Sequence, residues 1–375
     1  MTEQTPPVPG SSAAPVERQE KLPASEEVTE VAPGIYRLQL PINLPGLGHV
    51  NCYALEDGDG FTVVDPGLPD PASADALEHR MAQIGAPVSR IHTVFVTHSH
   101  PDHFGGAGRL RIGNQADIVA HEHFSTLLTR FDDDRELELR RRDDGFDPHA
   151  FFDALMGDGE IPELPTRFSP WGGTVPFPTR DEIMWMRGWD ELTRRGLVEN
   201  EPNVRVADAE VIVLGGREWV GVHTPGHTGD HLCLFDPADG VLLSGDHVLP
   251  TITPHISGMT QSTDSLADFF AALHKVADLD GVRLILPAHG HPFTELSERV
   301  DAIERHHEDR LDELVRIGIE LSEASVIEFS HRLFHERSWG AMAESETYAH
   351  LEHLRLAGRA RSRRDGGTLR YAIEG

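Results

Sequence analysis

Residues 91–103 read Ile-His-Thr-Val-Phe-Val-Thr-His-Ser-His-Pro-Asp-His, an apolar, β-branched run that ends in Thr97-His98-Ser99-His100-Pro101-Asp102-His103. The run predicts a buried strand, bounded by the turn that Pro101 imposes. Three histidines and an aspartate at a strand end cannot all be apolar core. Alternation along a strand sends His98 and His100 to the same side. Asp102 and His103, on the following turn, can fold back towards them. Imidazole with carboxylate is the ligand set of hydrolytic metal ions, and the cluster is competent to hold two divalent cations.

Working outward, three further candidates stand at strand ends. His227 lies in HTPGHTGDH after the strand WVGVH, Asp246 closes VLLSGD, and His289 closes LILPAH. Alone, a strand-end Asp caps a turn and a single His is an ordinary polar residue. Their joint placement after apolar strands, beside the first cluster, makes them ligand candidates.

THSHPDH with the later His227, Asp246 and His289 resembles the metallo-β-lactamase superfamily, over about residues 34–295. The resemblance implies an α/β (α+β) fold, a four-layer αββα sandwich, with a dinuclear site. It places His98, His100 and His227 on the first metal, Asp102, His103 and His289 on the second, and Asp246 between them. Zinc is the first expectation, with iron or manganese the alternatives. Two such ions trap a water as a bridging hydroxide, the nucleophile, and polarise the scissile bond. Asp102 can accept the water's proton, which makes it the catalytic residue. A bridging Asp246 resembles the glyoxalase II, lactonase, thioesterase and ribonuclease branches rather than antibiotic hydrolases.

The remaining histidines are assigned lesser parts. His121, His123, His223 and His231 are read as turn or supporting residues. His255, in LPTITPHISG, is a candidate for reaching substrate, with a surface-loop role equally open. Asp65 in VVDPG resembles a position close to the site, and a strand-end cap explains it nearly as well.

The 375 residues carry 62 acidic and 33 basic side chains, net −29. So acidic a chain argues against nucleic acid as main partner, because neutralising a phosphate backbone needs concentrated Lys and Arg. Lys21 and Lys275 are the only lysines, which leaves little room for Schiff-base chemistry or a phosphate-loop lysine. Cys52 and Cys233 cannot form a disulfide framework and sit in strand-like runs. No run is apolar enough to span a membrane and no secretory signal is visible, so a cytoplasmic location is the default.

Residues 1–28, rich in Pro, Ser and Glu, read as a disordered leader, and 29–295 as the main domain. An insertion over about 124–205 interrupts the strand rhythm. It holds a charged run, a helix capped by Asp147, and a second helix over about 181–195. Trp185 and Trp189, four apart on that second helix, would share a face and are candidates to line a substrate pocket. Residues 296–375 resemble a winged-helix appendix. Six arginines against one aspartate in its last stretch could touch nucleic acid, yet the whole appendix is net acidic. A structural cap or a surface between two copies of the chain is the alternative. The expected function is a metal-dependent hydrolase of a small-molecule ester, thioester or lactone. The runner-up is an endoribonuclease that holds RNA with the appendix.

Overall fold

Side chains along the central strands alternate between two different cores, and this alternation stacks the layers. The computed structural model describes residues 18–44, 46–125, 167–172, 174–175, 201–260 and 262–374. The first half contributes β1 (Thr29–Ala32), β2 (Ile35–Pro41), β3 (His49–Glu56), β4 (Phe61–Val64), β5 (Ile91–Phe95) and β6 (Asp117–His121). A short ribbon, β7 (Arg167–Phe168) with β8 (Thr174–Val175), precedes β9 (Val204–Val206). The second half contributes β10 (Val211–Leu214), β11 (Arg217–His223), β12 (Leu232–Asp236), β13 (Val241–Gly245) and β14 (Leu284–Pro287).

Among the described residues, one sheet runs in the order β1-β2-β3-β4-β5-β6-β9 and a second in the order β10-β11-β12-β13-β14. Tyr53, Leu55, Phe95 and Val119 of the first sheet meet Trp219, Leu232, Leu234 and Leu243 of the second in one buried cluster. Their neighbours face outward with period two. Cys52, Ala54, Val94 and Ile118 pack beneath helices α1 (Pro71–Gln83) and α3 (Ala107–Asn114), which flank the single turn α2 (Pro101–Phe104). Cys233, Phe235 and Leu242 pack under α4 (Ser265–Ala277), through Leu266, Phe269 and Leu273. The result is helix, sheet, sheet, helix, the expected sandwich.

Local chemistry sets the helix starts. Asp70 accepts from the Ser73 amide at 3.1 Å, with Pro71 at the first position of α1. At α4, Asp264 accepts from the Ala267 amide at 3.0 Å.

Two boundaries differ from the sequence reading. The leader expected through residue 28 gives way, from Arg18, to an ordered strap. Its Leu22 carbonyl accepts from His49, and its Ser25 carbonyl takes two bonds from buried Arg80. The segment holds because Arg80 and His49, inside the domain, need acceptors that water cannot reach.

The C-terminal region is the second difference. It comprises α5 (Leu296–Leu321), β15 (Ala324–Ser325), α6 (Val326–Leu333), α7 (Ala341–Leu356) and the hairpin β16 (Ala360–Asp365) and β17 (Thr368–Ile373). Ser325 and Glu328 form a reciprocal capping box at the start of α6. The region shares one continuous core with the main domain, because Val300, Ile303, Leu311 and Leu314 join Phe269 and Ile285 in the same buried cluster. Trp171 belongs to that cluster too. Its indole donates to Glu344 at 3.0 Å and its carbonyl accepts from Leu369. This part of the insertion therefore packs on the C-terminal region. The insertion helices expected around 147–156 and 181–195, with Trp185 and Trp189, lie outside the described residues.

A shared core predicts shared unfolding. Leu314→Ala, fully buried in α5, should cost about 2–5 kcal/mol. Denaturant unfolding followed by fluorescence and by circular dichroism should give one coincident transition. Two separated transitions would show that the C-terminal region folds alone.

Candidate metal centre

All seven expected ligands come together at the carboxyl ends of strands from both sheets. His98, His100, Asp102 and His103 follow β5, His227 follows β11, Asp246 follows β13 and His289 follows β14. Two glycines make the close approach feasible. Gly245 has φ +51°, and a Cβ there would lie 2.6 Å from the His231 ring. Gly226 has φ +135°, and a Cβ there would strike Phe269. Neither position tolerates a side chain, and they set Asp246 and His227.

The ligand atoms fall into two sets. His98, His100, His227 and Asp246 form one, and Asp102, His103 and His289 the other. In the first, His100 Nδ1 lies 3.0 Å from both His98 Nε2 and His227 Nε2, with Asp246 Oδ2 3.6 Å from His227 Nε2. In the second, Asp102 Oδ2 lies 3.6 Å from His103 Nε2 and 3.5 Å from His289 Nε2. Asp246 spans the two. Its Oδ2 also lies 3.6 Å from His103 Nε2, and its Oδ1 lies 3.5 Å from His289 Nε2.

The far side of each ring decides what the near side offers. Asp65 is the hub. Its carboxylate accepts from the Thr97 amide at 2.9 Å, the Thr97 hydroxyl at 2.8 Å and His103 Nδ1 at 2.8 Å. With its proton committed to Asp65, Thr97 Oγ1 can only accept from His98 Nδ1, 3.0 Å away. His227 Nδ1 donates to the His255 carbonyl at 2.7 Å, and His289 Nδ1 to the His49 carbonyl at 2.8 Å. Four imidazoles are thus tied from behind at Nδ1 and turn Nε2 inward. Asp65 is therefore more than a strand-end cap, and it holds a left-handed backbone (φ +54°) to do so.

Electrostatics divide the sets. Burial pushes His98 well below the ordinary imidazole value, helped by His103 and His100, and takes His100 to about 3. Burial lowers His227 as well. Burial would lower His103 too, but Asp102, Asp246 and Asp65 outweigh it and raise His103 to about 10. His289 is raised against burial by Asp246 and Asp102. The Asp102 and Asp246 carboxyls, which burial alone would raise, are held low, Asp102 by His103 and His289 and Asp246 by His289 and His103.

Buried His103 Nε2, His289 Nε2 and Asp246 Oδ1 have no hydrogen-bond partner. Imidazole nitrogens and carboxylate oxygens that converge without hydrogen-bond partners are what a divalent cation satisfies, and the donor set of imidazole and carboxylate suits zinc. The residues present fit two ions.

The other candidates are placed as follows. His231 Nε2 accepts from the Asp246 amide at 3.0 Å and Nδ1 pairs with Thr224 at 2.7 Å, so this ring braces the backbone of Asp246. His121 stacks on His223 at 4.0 Å, with His123 beside them, outside the ligand sets. The His255 ring turns to Glu346 at 3.3 Å, and its carbonyl serves His227. The sequence reading passed over His49, Thr97 and Glu346. Backbone acceptors and a partner about 90 residues away leave no local motif.

The Metallo-beta-lactamase superfamily profile matches residues 45–316, and the chain belongs to that superfamily. The "Probable metallo-hydrolase YqjP" of Bacillus subtilis (strain 168) is 24% identical over 337 residues, which is 87% of this chain and 93% of the relative. A crystal structure of a metallo-beta-lactamase family protein from Thermus thermophilus is 27% identical with TM-score 0.69, covering 92% of this chain and 100% of that one. The "Atrochrysone carboxyl ACP thioesterase" of Aspergillus novofumigatus (strain IBT 16806) is 27% identical over 118 residues, 31% of this chain and 34% of the relative. The chain is a metallo-hydrolase of this superfamily, with His and Asp clusters at its strand ends that could hold metal ions.

Two outcomes are expected. Asp65→Asn should weaken metal binding about 10- to 100-fold, since one carboxylate orients ligands of both sets; unchanged affinity in a chelator competition would contradict this. Metal uptake at pH 7 should release at least one proton per chain, from His103, because ligation requires neutral imidazole. Titration in weakly buffered solution with a pH indicator reads the release directly.

Proposed function

We propose that this chain is a dinuclear metal-dependent hydrolase of a small-molecule ester, thioester or lactone. The observation that carries it is Asp246, whose two oxygens lie within 3.6 Å of imidazole nitrogens from both ligand sets. That placement of a carboxylate fits the glyoxalase II-like branch expected from the sequence. Zinc is the proposed metal, with iron or manganese as alternatives. The thioesterase named among the relatives supports an acyl substrate, as do the net charge of −29 and the scarcity of lysine.

When bound, two such ions supply an activated water and polarise the scissile carbonyl. The chain's own residues supply the rest. The Asp102 carboxylate, kept anionic by His103 and His289, accepts the proton that the attacking water gives up. His98, His227 and His289 hold their rings through Nδ1, so no reorientation is needed during turnover. Trp185 and Trp189 are proposed as walls of the acyl pocket, and His255 as its polar edge.

The order of helix, short strand, two helices and hairpin favours a winged-helix-like reading of residues 296–374, and with it the endoribonuclease alternative. The arginines of that hairpin are engaged, however. Arg363 and Arg370 both pair with Glu323, Arg361 with Glu374, and Arg364 donates to the Pro170 carbonyl. Phosphates would have to compete with these acids, which favours a structural role.

Full-length protein loaded with zinc should hydrolyse thioesters or lactones and leave single-stranded RNA intact. Asp102→Asn should lower kcat about 10²- to 10⁴-fold. Cleavage of RNA without acyl hydrolysis would overturn the proposal.

A further inference from the structure

The loop that leaves Asp246 and runs to residue 258 is gripped at three points by the C-terminal region. Half-buried Arg299 of α5 donates to the Leu249 carbonyl at 2.5 Å and the Ile252 carbonyl at 2.7 Å. Ser345 of α7 accepts from the Gly258 amide at 3.1 Å and meets Ser257 Oγ at 3.2 Å. The loop lies so close to α7 that a Cβ on Gly258 would fall 2.5 Å from Tyr348. Between these points, Glu346 of α7 holds the His255 ring.

Glu346 is itself fixed. Arg310 of α5 pairs with its other oxygen at 2.8 Å, and both side chains are largely buried. Burial would raise this carboxyl, yet Arg310 and His255 hold it well below the carboxylate range. His307 and His350 stand beside it as a third histidine and carboxylate group. Because Arg310 already neutralises Glu346, and the two rings bond each other at 3.1 Å, this group reads as support rather than a cation site.

We propose that Glu346, anchored by Arg310, is a positioning residue for the metal centre. By gripping the His255 ring it fixes the backbone carbonyl that dictates which nitrogen of His227 faces the ligand cluster. The path is short: Arg310 to Glu346, Glu346 to the His255 ring, and the His255 carbonyl to His227 Nδ1. A free loop carbonyl could drift and release the His227 tautomer, whereas a clamped one cannot. The C-terminal region thereby completes the first ligand set without touching it. This rests on the metal-centre reading and not on the choice of substrate.

The test uses the full-length chain and zinc alone. Metal affinity is read by competition with a chromophoric chelator, and the His227 tautomer by nitrogen-15 spectra of the metal-free protein. The partly exposed His255 ring makes His255→Ala the gentle variant. It and Glu346→Gln should each weaken one of the two ions about 10-fold or more, with the other unchanged and the melting temperature nearly so. His255→Asn, whose amide can still donate to Glu346, should restore most of the loss. Tyr371→Phe removes the bond from Tyr371 to Glu352 elsewhere in the same region and should leave both affinities alone. In His255→Ala the His227 signal should change from a single Nδ1-protonated form to a mixture. Unaltered zinc affinity and tautomer in His255→Ala, or an equal loss in Tyr371→Phe, would overturn the positioning role. An unmodified chain that binds no zinc would instead overturn the metal-centre reading, and this inference with it.

Discussion

Asp65, Asp102 and Asp246 are buried within one constellation together with five inward-facing imidazoles. Removing a carboxylate from water costs several kcal/mol unless cations or donors compensate it. Most of the surrounding structure can be understood as that compensation. The sandwich brings strand ends from both sheets to one place, two glycines let the backbone come close enough, and each ring is tied from behind. The same carboxylates raise His103 and His289 against burial, while His98 and His100, set among other imidazoles, are lowered by it.

The tethers behind the rings differ in kind, and the difference has a physical consequence. His103 leans directly on the carboxylate of Asp65, and His98 leans on it through the Thr97 hydroxyl, so the hub behind both carries a charge. His227 and His289 lean on backbone carbonyls, which cannot titrate and whose position depends only on how their loops are held. Those loops are held by the two ends of the chain. The N-terminal strap accepts from the His49 ring, and α7 accepts from the His255 ring. Segments that look peripheral along the chain therefore determine the orientation of two ligands.

The C-terminal hairpin illustrates the limit of composition as a guide. Six arginines against one aspartate make a basic stretch on paper. Folding brings Glu323, from the turn after α5, between Arg363 and Arg370, and the chain's own Glu374 to Arg361. Local charge along the sequence is then no longer local charge in space.

The sequence by itself pointed to the sandwich and its candidate ligands, because a strand-end motif and its resemblance to a known family are short-range features. Apolar, β-branched runs mark buried strands, and a histidine-rich strand end has no apolar explanation. The Asp264 cap of α4 is equally legible, since capping is a contact over three residues. The tertiary structure alone decided the rest. Asp65 reaches Thr97 and His103 across more than 30 residues, His289 finds the His49 carbonyl across 240, and Glu346 meets His255 across 91. A backbone carbonyl has the same chemistry at every position, so nothing in the sequence marks the one that orients a ligand. Only packing chooses it.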